Sequence, residues 1–282
     1  MLRARKPEAV TKRLKMFMFG PAGVGKTTAA IQFPNSYIID GERGTENYDK
    51  LISESGSVVF QTTDINEVLA EVKALLTVKH DFRTLVIDPI TPIFNDLLDK
   101  CETQVGADFG RHFGAANKTM KRLANLIMNL DMNVIMTAHA KTEYGQNFSK
   151  LGYTFDGWRQ LDYWFDLVVE LTKKGKKRVA KVSKTRIEMF PDEDIFEWSY
   201  EAIKKRYDAS ILEREAQQVA LATNEQVREI KDLLNIVRLP EGLVDKWFSK
   251  AQVDAWEDMP AETIVKCIEY VKNRLPGNVA AA

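Results

Sequence analysis

The chain has 282 residues, 45% apolar and 28% charged, enough for one well-buried α/β domain with a small appendage. Lysine plus arginine and aspartate plus glutamate number 40 each, so bulk charge favours neither nucleic acid nor a membrane surface, and any such signal must be local. No apolar run approaches the roughly 18–20 residues of a membrane span, the histidines lack zinc-type spacing, and two distant cysteines behind a leaderless N-terminus predict a cytoplasmic protein.

Residues 1–13 are basic and predict a flexible N-terminus. Met16-Phe17-Met18-Phe19 reads as a buried strand running into a glycine loop, and Thr27 to Ile31 begins a helix. Further strands are expected at Ser36 to Asp40, Val58 to Phe60, Thr84 to Asp88 and Asn133 to Thr137, with helical patterns from Glu67 to Leu76 and from about Asn117 to Leu130. Apolar strands alternating with helices predict an α/β core over residues 14–209, its sheet mostly parallel and set between helices. Asp166 to Leu171 and Arg178 to Arg186 flank Lys173-Lys174-Gly175-Lys176-Lys177 and predict a β-hairpin extension, followed by a short strand within Phe190 to Tyr200. Residues 210–222 are expected to form a linker helix. A small helical domain over 223–275 opens with the capping-box pattern Thr223-Asn224-Glu225-Gln226, and 276–282 is expected to be a disordered tail.

Gly20-Pro21-Ala22-Gly23-Val24-Gly25-Lys26-Thr27 matches the phosphate-loop pattern at every specified position. Glycines let successive backbone N–H groups turn inward onto phosphate oxygens. Lys26 is expected on the β- and γ-phosphates and Thr27 on Mg2+, with Thr28 completing the nucleotide-binding loop, so the cofactors implied are ATP or another nucleoside triphosphate and Mg2+. Asp88, closing Leu85-Val86-Ile87, is the candidate metal-side carboxylate; its alternative reading is a helix cap in a strand-to-loop turn. Glu42 is the preferred water-activating base, with Asp40 and Glu46 as lesser candidates. His139, just past the strand ending at Thr137, is a candidate sensor of the γ-phosphate at the same sheet edge.

In order and context, Gly20 to Thr28, Tyr37 to Glu42, Leu85 to Asp88 and Ile135-Met136-Thr137-Ala138-His139 resemble the RecA-like P-loop NTPase core. Over about residues 14–200 the chain is similar, more narrowly, to short RecA-like ATP-binding proteins that bacteriophages carry in recombination and replication modules. The resemblance implies that Glu42 is the catalytic glutamate, Asp88 the Walker B acid, and His139 the link between nucleotide state and DNA-binding loops, where RecA itself has glutamine. Lys184 and Arg186 lie two apart on an expected strand and so share a face. RecA-like ring and filament ATPases carry a Lys-x-Arg pair there that reaches the neighbouring subunit's nucleotide, which implies a homo-oligomer with ATP at its subunit boundaries. The long RecA-type N-terminal oligomerisation helix is missing, which favours annealing or loading over full strand exchange.

The implied partner is single-stranded DNA. Residues 173–186 hold eight Lys or Arg and no acid. The stretch 141–159 mixes Tyr144, Phe148, Tyr153, Phe155 and Trp158 with Lys141, Lys150, Arg159 and three glycines, and 101–117 carries Phe109, Arg111, His112 and Phe113. The alternative is that these aromatics pack the loops onto the protein. The C-terminal helices are expected either to dock a phage recombination or replication protein or to form a small core of their own around Trp247, Phe248 and Trp256. Two rivals to the recombination reading are a helicase-like motor or helicase loader, and a nucleotide-switched module that recruits a protein.

Overall fold

The computed structural model describes residues 12–144 and 149–275; the N-terminal residues 1–11, Phe148 and the tail 276–282 lie outside the described residues. The expected α/β class holds. Nine strands are seen among the described residues: β1 (Lys15–Gly20), β2 (Ser36–Asp40), β3 (Val58–Gln61), β4 (Thr84–Asp88), β5 (Asn133–Tyr144), β6 (Lys150–Asp156), β7 (Leu167–Lys174), β8 (Lys177–Thr185) and β9 (Ile195–Glu197). They form one sheet in the order β3-β2-β4-β5-β1-β7-β8-β9, with β6 paired to β5. The six strands from β3 to β7 run parallel, and the pairs β5–β6, β7–β8 and β8–β9 are antiparallel.

The central strands are apolar throughout because both faces are covered: all six residues of β1 and all five of β4 are buried. Alternation then sorts the side chains of β1 between two environments. Met16 and Met18 join a cluster with Ile38, Val86, Ile135 and Val169. Phe17 meets Phe155 edge-on at 5.0 Å and Phe165 at 5.7 Å.

The helices are α1 (Lys26–Ala30), α2 (Asp49–Glu54), α3 (Ile65–Thr77), α4 (Ile90–Val105), α5 (Arg111–Asn129), α6 (Leu161–Trp164), α7 (Tyr200–Arg206), α8 (Ala209–Leu212), α9 (Asn224–Ile236), α10 (Leu243–Ala251) and α11 (Ala261–Lys272). Helix α4 was not legible in the sequence, although its Pro92 sits in the first turn, where no backbone donor is needed. With α4 and an earlier start to α5, the 101–117 stretch becomes mostly helical rather than a long loop.

Three other expectations change. Arg13, placed in the flexible N-terminus, is only 4% exposed and donates to the carbonyls of Ile211, Arg214 and Glu215 at 2.5, 2.8 and 2.7 Å. The linker over 210–222 is helical only through Leu212; beyond a turn it carries no helix, only a bridge between Leu221 and Pro260. The stretch 141–159, read as a mobile loop, is largely the β5–β6 hairpin, because β5 continues seven residues beyond Thr137 and pairs back on itself.

By internal contact the chain forms two compact units that interleave along the sequence, so their limits do not follow the expected 14–209 and 223–275 boundaries. One unit holds the whole sheet. The other combines residues 64–80, 94–131 and 217–282. In it the buried Asp258 accepts a two-point bond from Arg122, at 2.6 and 3.0 Å, and a third from Lys73 at 3.2 Å. The capping box forms as expected, Thr223 Oγ1 accepting from the Gln226 amide and Gln226 Oε1 from the Thr223 amide. Trp256 packs with Phe248 at 4.8 Å and Trp247 at 6.2 Å, within an apolar cluster built from α9, α10 and α11.

Candidate nucleotide site

The sheet order puts the ends of β1, β2 and β4 beside the middle of β5. In register, Gly20 of β1 stands opposite His139 of β5, and Asp40 of β2 opposite Asp88 of β4. The carboxyl edge of a parallel sheet is where such folds hold ligands, because loops open there between strand and helix. A cavity of about 750 Å³ occupies this edge, a volume suited to a nucleotide.

The phosphate loop forms one wall through Ala22, Gly23, Gly25, Lys26, Thr27 and Thr28. Val24 instead turns into the core at 8% exposure, and Gly20 and Pro21 do not line the cavity. Gly20 is required by packing: a Cβ there would lie 2.2 Å from the Leu171 carbonyl oxygen of β7. Gly25 is required by conformation, with φ at +91°. The Lys26 ammonium donates to the carbonyls of Gly20 at 2.9 Å and Pro21 at 3.2 Å. Burial lowers its pKa, and the charges of Asp88 and Glu42 partly offset that effect.

The three candidate acids after β2 separate cleanly. Asp40 is 1% exposed and its carboxylate is saturated, accepting from the amides of Glu42, Gly44 and Thr45 at 3.1, 3.1 and 3.0 Å and from the Thr45 hydroxyl at 2.5 Å. It shapes the 41–45 turn, in which Arg43 takes a positive φ of 59°. Glu46 is exposed and does not line the cavity. Glu42 does line it, and His139 Nε2 donates to Glu42 Oε2 at 2.8 Å.

Asp88 is 2% exposed, and Oδ1 accepts a short bond from the Thr137 hydroxyl. Burial raises its pKa, while the hydroxyls of Thr137 and Thr27 pull the other way. Its Oδ2 is buried without a hydrogen-bond partner among the described residues. An orphaned carboxylate oxygen of this kind fits a cation. No cluster of three or more His, Cys, Asp or Glu forms a metal cage among the described residues. Mg2+ does not need one, since it is commonly held by one or two protein groups together with phosphate and water. Thr27 and Asp88 suit that role.

Lys184 and Arg186 are not at this cavity. The Lys184 ammonium donates to the carbonyls of Asp162 and Phe165, and Arg186 pairs with Asp166 at 3.3 Å and donates to the Tyr163 carbonyl at 2.9 Å. Burial, then the neighbouring Arg186 charge, lowers the Lys184 pKa. Two other cations of the hairpin, Lys173 and Arg178, line the cavity, as does Tyr48, whose hydroxyl meets that of Thr28 at 3.1 Å. Tyr48 had no signal in the sequence; Lys173 and Arg178 were visible only as part of a basic run.

The stretches read as DNA-contacting change character too. Phe155 packs on Phe17, Trp158 is 3% exposed, and Lys141 pairs with Asp156 at 3.6 Å. Within 173–186, Lys177 and Lys181 are neutralised by Glu197 at 2.5 Å and Glu193 at 2.6 Å. In the other unit Phe109 is fully exposed with φ at +53°, and Phe113 is 51% exposed, its ring tilted by 38° against His112 at 4.1 Å.

No helix among the described residues is long and apolar enough to cross a membrane. No curated protein matches the chain. Among solved structures it is similar to the crystal structure of the RadB recombinase, with 17% identity over 65% of this chain and 86% of that one and a TM-score of 0.41. It is similar also to a DnaB-like replicative helicase whose structure describes its interactions with primase, with 10% identity, 66% of this chain, 54% of that chain and a TM-score of 0.38. The chain therefore spans about half the length of that helicase. Residues 12–187, more than half of the sequence, match the family described as AAA domain, and the chain belongs to that family of P-loop domains.

Proposed function

We propose that the chain is a Mg2+-dependent ATPase of RecA-like type that acts on single-stranded DNA in recombination, annealing or recombination-dependent replication. The observation that carries the reading is the convergence of Lys26, Thr27, Glu42 and His139 on one cavity, with the unpartnered Oδ2 of Asp88 at the same sheet edge. The loop amides and Lys26 bind and orient the phosphates. Thr27 and Asp88 would hold the metal, which when bound would draw charge off the phosphate oxygens. Glu42, steadied by His139, orients the attacking water and takes its proton.

The DNA part of the proposal rests on Phe109 and Phe113, whose exposed rings offer stacking surfaces to unpaired bases. Assembly into an oligomer with Lys184 and Arg186 acting across subunits, and docking of a replication or recombination partner on the C-terminal helices, belong to the same proposal. Its test is the ATPase rate against added single-stranded DNA, duplex DNA and RNA across a salt series, with Lys26→Ala as the control. Turnover that rises with single-stranded DNA and falls with salt supports it. Turnover indifferent to every nucleic acid leaves the ATPase and removes the DNA role, whereas a Lys26→Ala protein as active as the wild type removes the cradle itself.

A further inference from the structure

The β7–β8 hairpin brings two positive side chains to the mouth of the phosphate loop. Lys173 and Arg178 stand directly opposite each other in the hairpin register, and both line the cavity. Arg178 lies against the loop itself. A Cβ on Gly25 would fall 2.1 Å from Arg178 Nε and 2.9 Å from its Cζ and Nη2, so the guanidinium lies in direct contact with the loop backbone.

Arg178 Nε is buried without a hydrogen-bond partner, and among the described residues neither Arg178 nor Lys173 has an ion pair. Their neighbours on the same hairpin are treated differently: Lys177 has Glu197 and Lys181 has Glu193. Lys173 is exposed and Arg178 half-buried, so water screens their mutual repulsion, but the buried Nε–H of Arg178 has lost its hydration without gaining an acceptor, a cost that an anion oxygen in the cavity would relieve. The nearby carboxylate of Glu42 is held by His139.

The hairpin is also fixed relative to the loop. Strand β7 pairs in parallel with β1, and the Leu171 carbonyl presses against Gly20 so closely that no side chain fits between them. Two residues after Leu171 comes Lys173. The cations are therefore carried on a rigid element joined to the strand that feeds the phosphate loop.

We propose that Arg178, assisted by Lys173, is a polyphosphate ligand supplied by the same chain as the phosphate loop. The inference rests on the reading that this cradle holds a nucleoside triphosphate. A planar guanidinium suits phosphate oxygens by its paired donors, and a cation already seated needs no partner subunit to deliver it.

The test uses the full chain and measures binding of a fluorescent ATP analogue, its displacement by inorganic triphosphate, and thermal unfolding with and without ATP. Arg178→Ala is expected to weaken binding of both ATP and inorganic triphosphate by about tenfold or more, Arg178→Lys to restore part of it, and Lys177→Ala to change nothing. Without ligand, Arg178→Ala should unfold at the same temperature as the wild type or higher, with the ATP-induced rise reduced; an arginine that merely held the hairpin in place would lower the ligand-free value. Arg178→Ala that binds both ligands as tightly as the wild type, while Lys26→Ala has lost them, overturns the clamp and leaves the cradle standing. Wild-type protein that binds neither ligand overturns the cradle, and the clamp with it.

Discussion

His139 and Glu42, 97 residues apart, are joined by a 2.8 Å hydrogen bond that links the middle of β5 to the turn after β2. Both side chains keep 43% of their surface exposed, so the contact sits at the wall of the cavity and not within the core. Asp40 supports it from behind by tying down the turn that carries Glu42.

This pairing separates two kinds of loss. Glu42→Gln should retain ATP binding while hydrolysis falls by about 10²–10⁴-fold, the usual contribution of a positioned base. His139→Ala should lower kcat by about tenfold with little change in KM, because it removes the orienting partner and not the base. Steady-state kinetics with a parallel binding measurement distinguish them; a His139→Ala enzyme changed only in KM would move His139 from orienting Glu42 to binding nucleotide.

Asp88 predicts a pH-dependent stability difference. Burial raises its folded-state pKa above that of an unfolded aspartate, so across that interval the folded chain binds more protons and loses stability as pH rises. Asp88→Asn keeps the shape and removes the buried charge. Without ligand it should be more stable than the wild type by about 1–3 kcal/mol near neutral pH, the gap closing as pH falls to the ordinary aspartate range, with hydrolysis abolished. Urea unfolding at several pH values checks this, and a less stable Asp88→Asn protein at neutral pH would mean that Thr137, Thr27 and Lys26 outweigh the cost of burying the charge.

Lys184 and Arg186 are anchored in their own chain, and the proposal adds a role across subunits. Mixing Lys184→Ala/Arg186→Ala protein with Glu42→Gln protein one to one should regenerate about a quarter of the sites, where an intact Glu42 faces an intact pair on a head-to-tail neighbour. ATPase rates over a range of mixing ratios, with co-assembly verified by pull-down of a tagged subunit, measure the recovery. Absence of recovery in assemblies shown to be mixed would confine the pair to holding residues 162–166.

For Phe109 and Phe113, alanine substitution should weaken single-stranded DNA binding by about 1–3 kcal/mol for each lost stack without reducing fold stability, since both rings are exposed. Fluorescence anisotropy at two salt concentrations gives the affinities. Unaltered binding by the double variant would relocate the DNA contact.

Much of the fold was legible because its signals are local. The buried strands β1, β2 and β4 are near-continuous apolar runs, and the capping box of α9 is a four-residue pattern. What escaped was set by distant partners. The second half of β5 carries Lys141, Thr142 and Glu143, which do not read as a buried strand, and it is a strand because β6 lies beside it. Phe155 and Trp158 read equally as stacking platforms or as core, and the partners that decide, Phe17 and Trp164, are remote in sequence or hidden by an unforeseen turn.

The phosphate loop from Gly20 to Thr27 was determined by the sequence alone, because its chemistry depends on consecutive backbone groups and residues in fixed succession. Asp88 was readable for a related reason, as a carboxylate ending an apolar run. Only the tertiary structure put Glu42 on the cavity and left Asp40 and Glu46 off it, joined Glu42 to His139, and set Arg178 and Lys173 at the cavity in place of Lys184 and Arg186. A run of basic residues has no direction in sequence. Strand pairing gives it one, and the contact of β7 with Gly20 fixes where those charges come to rest.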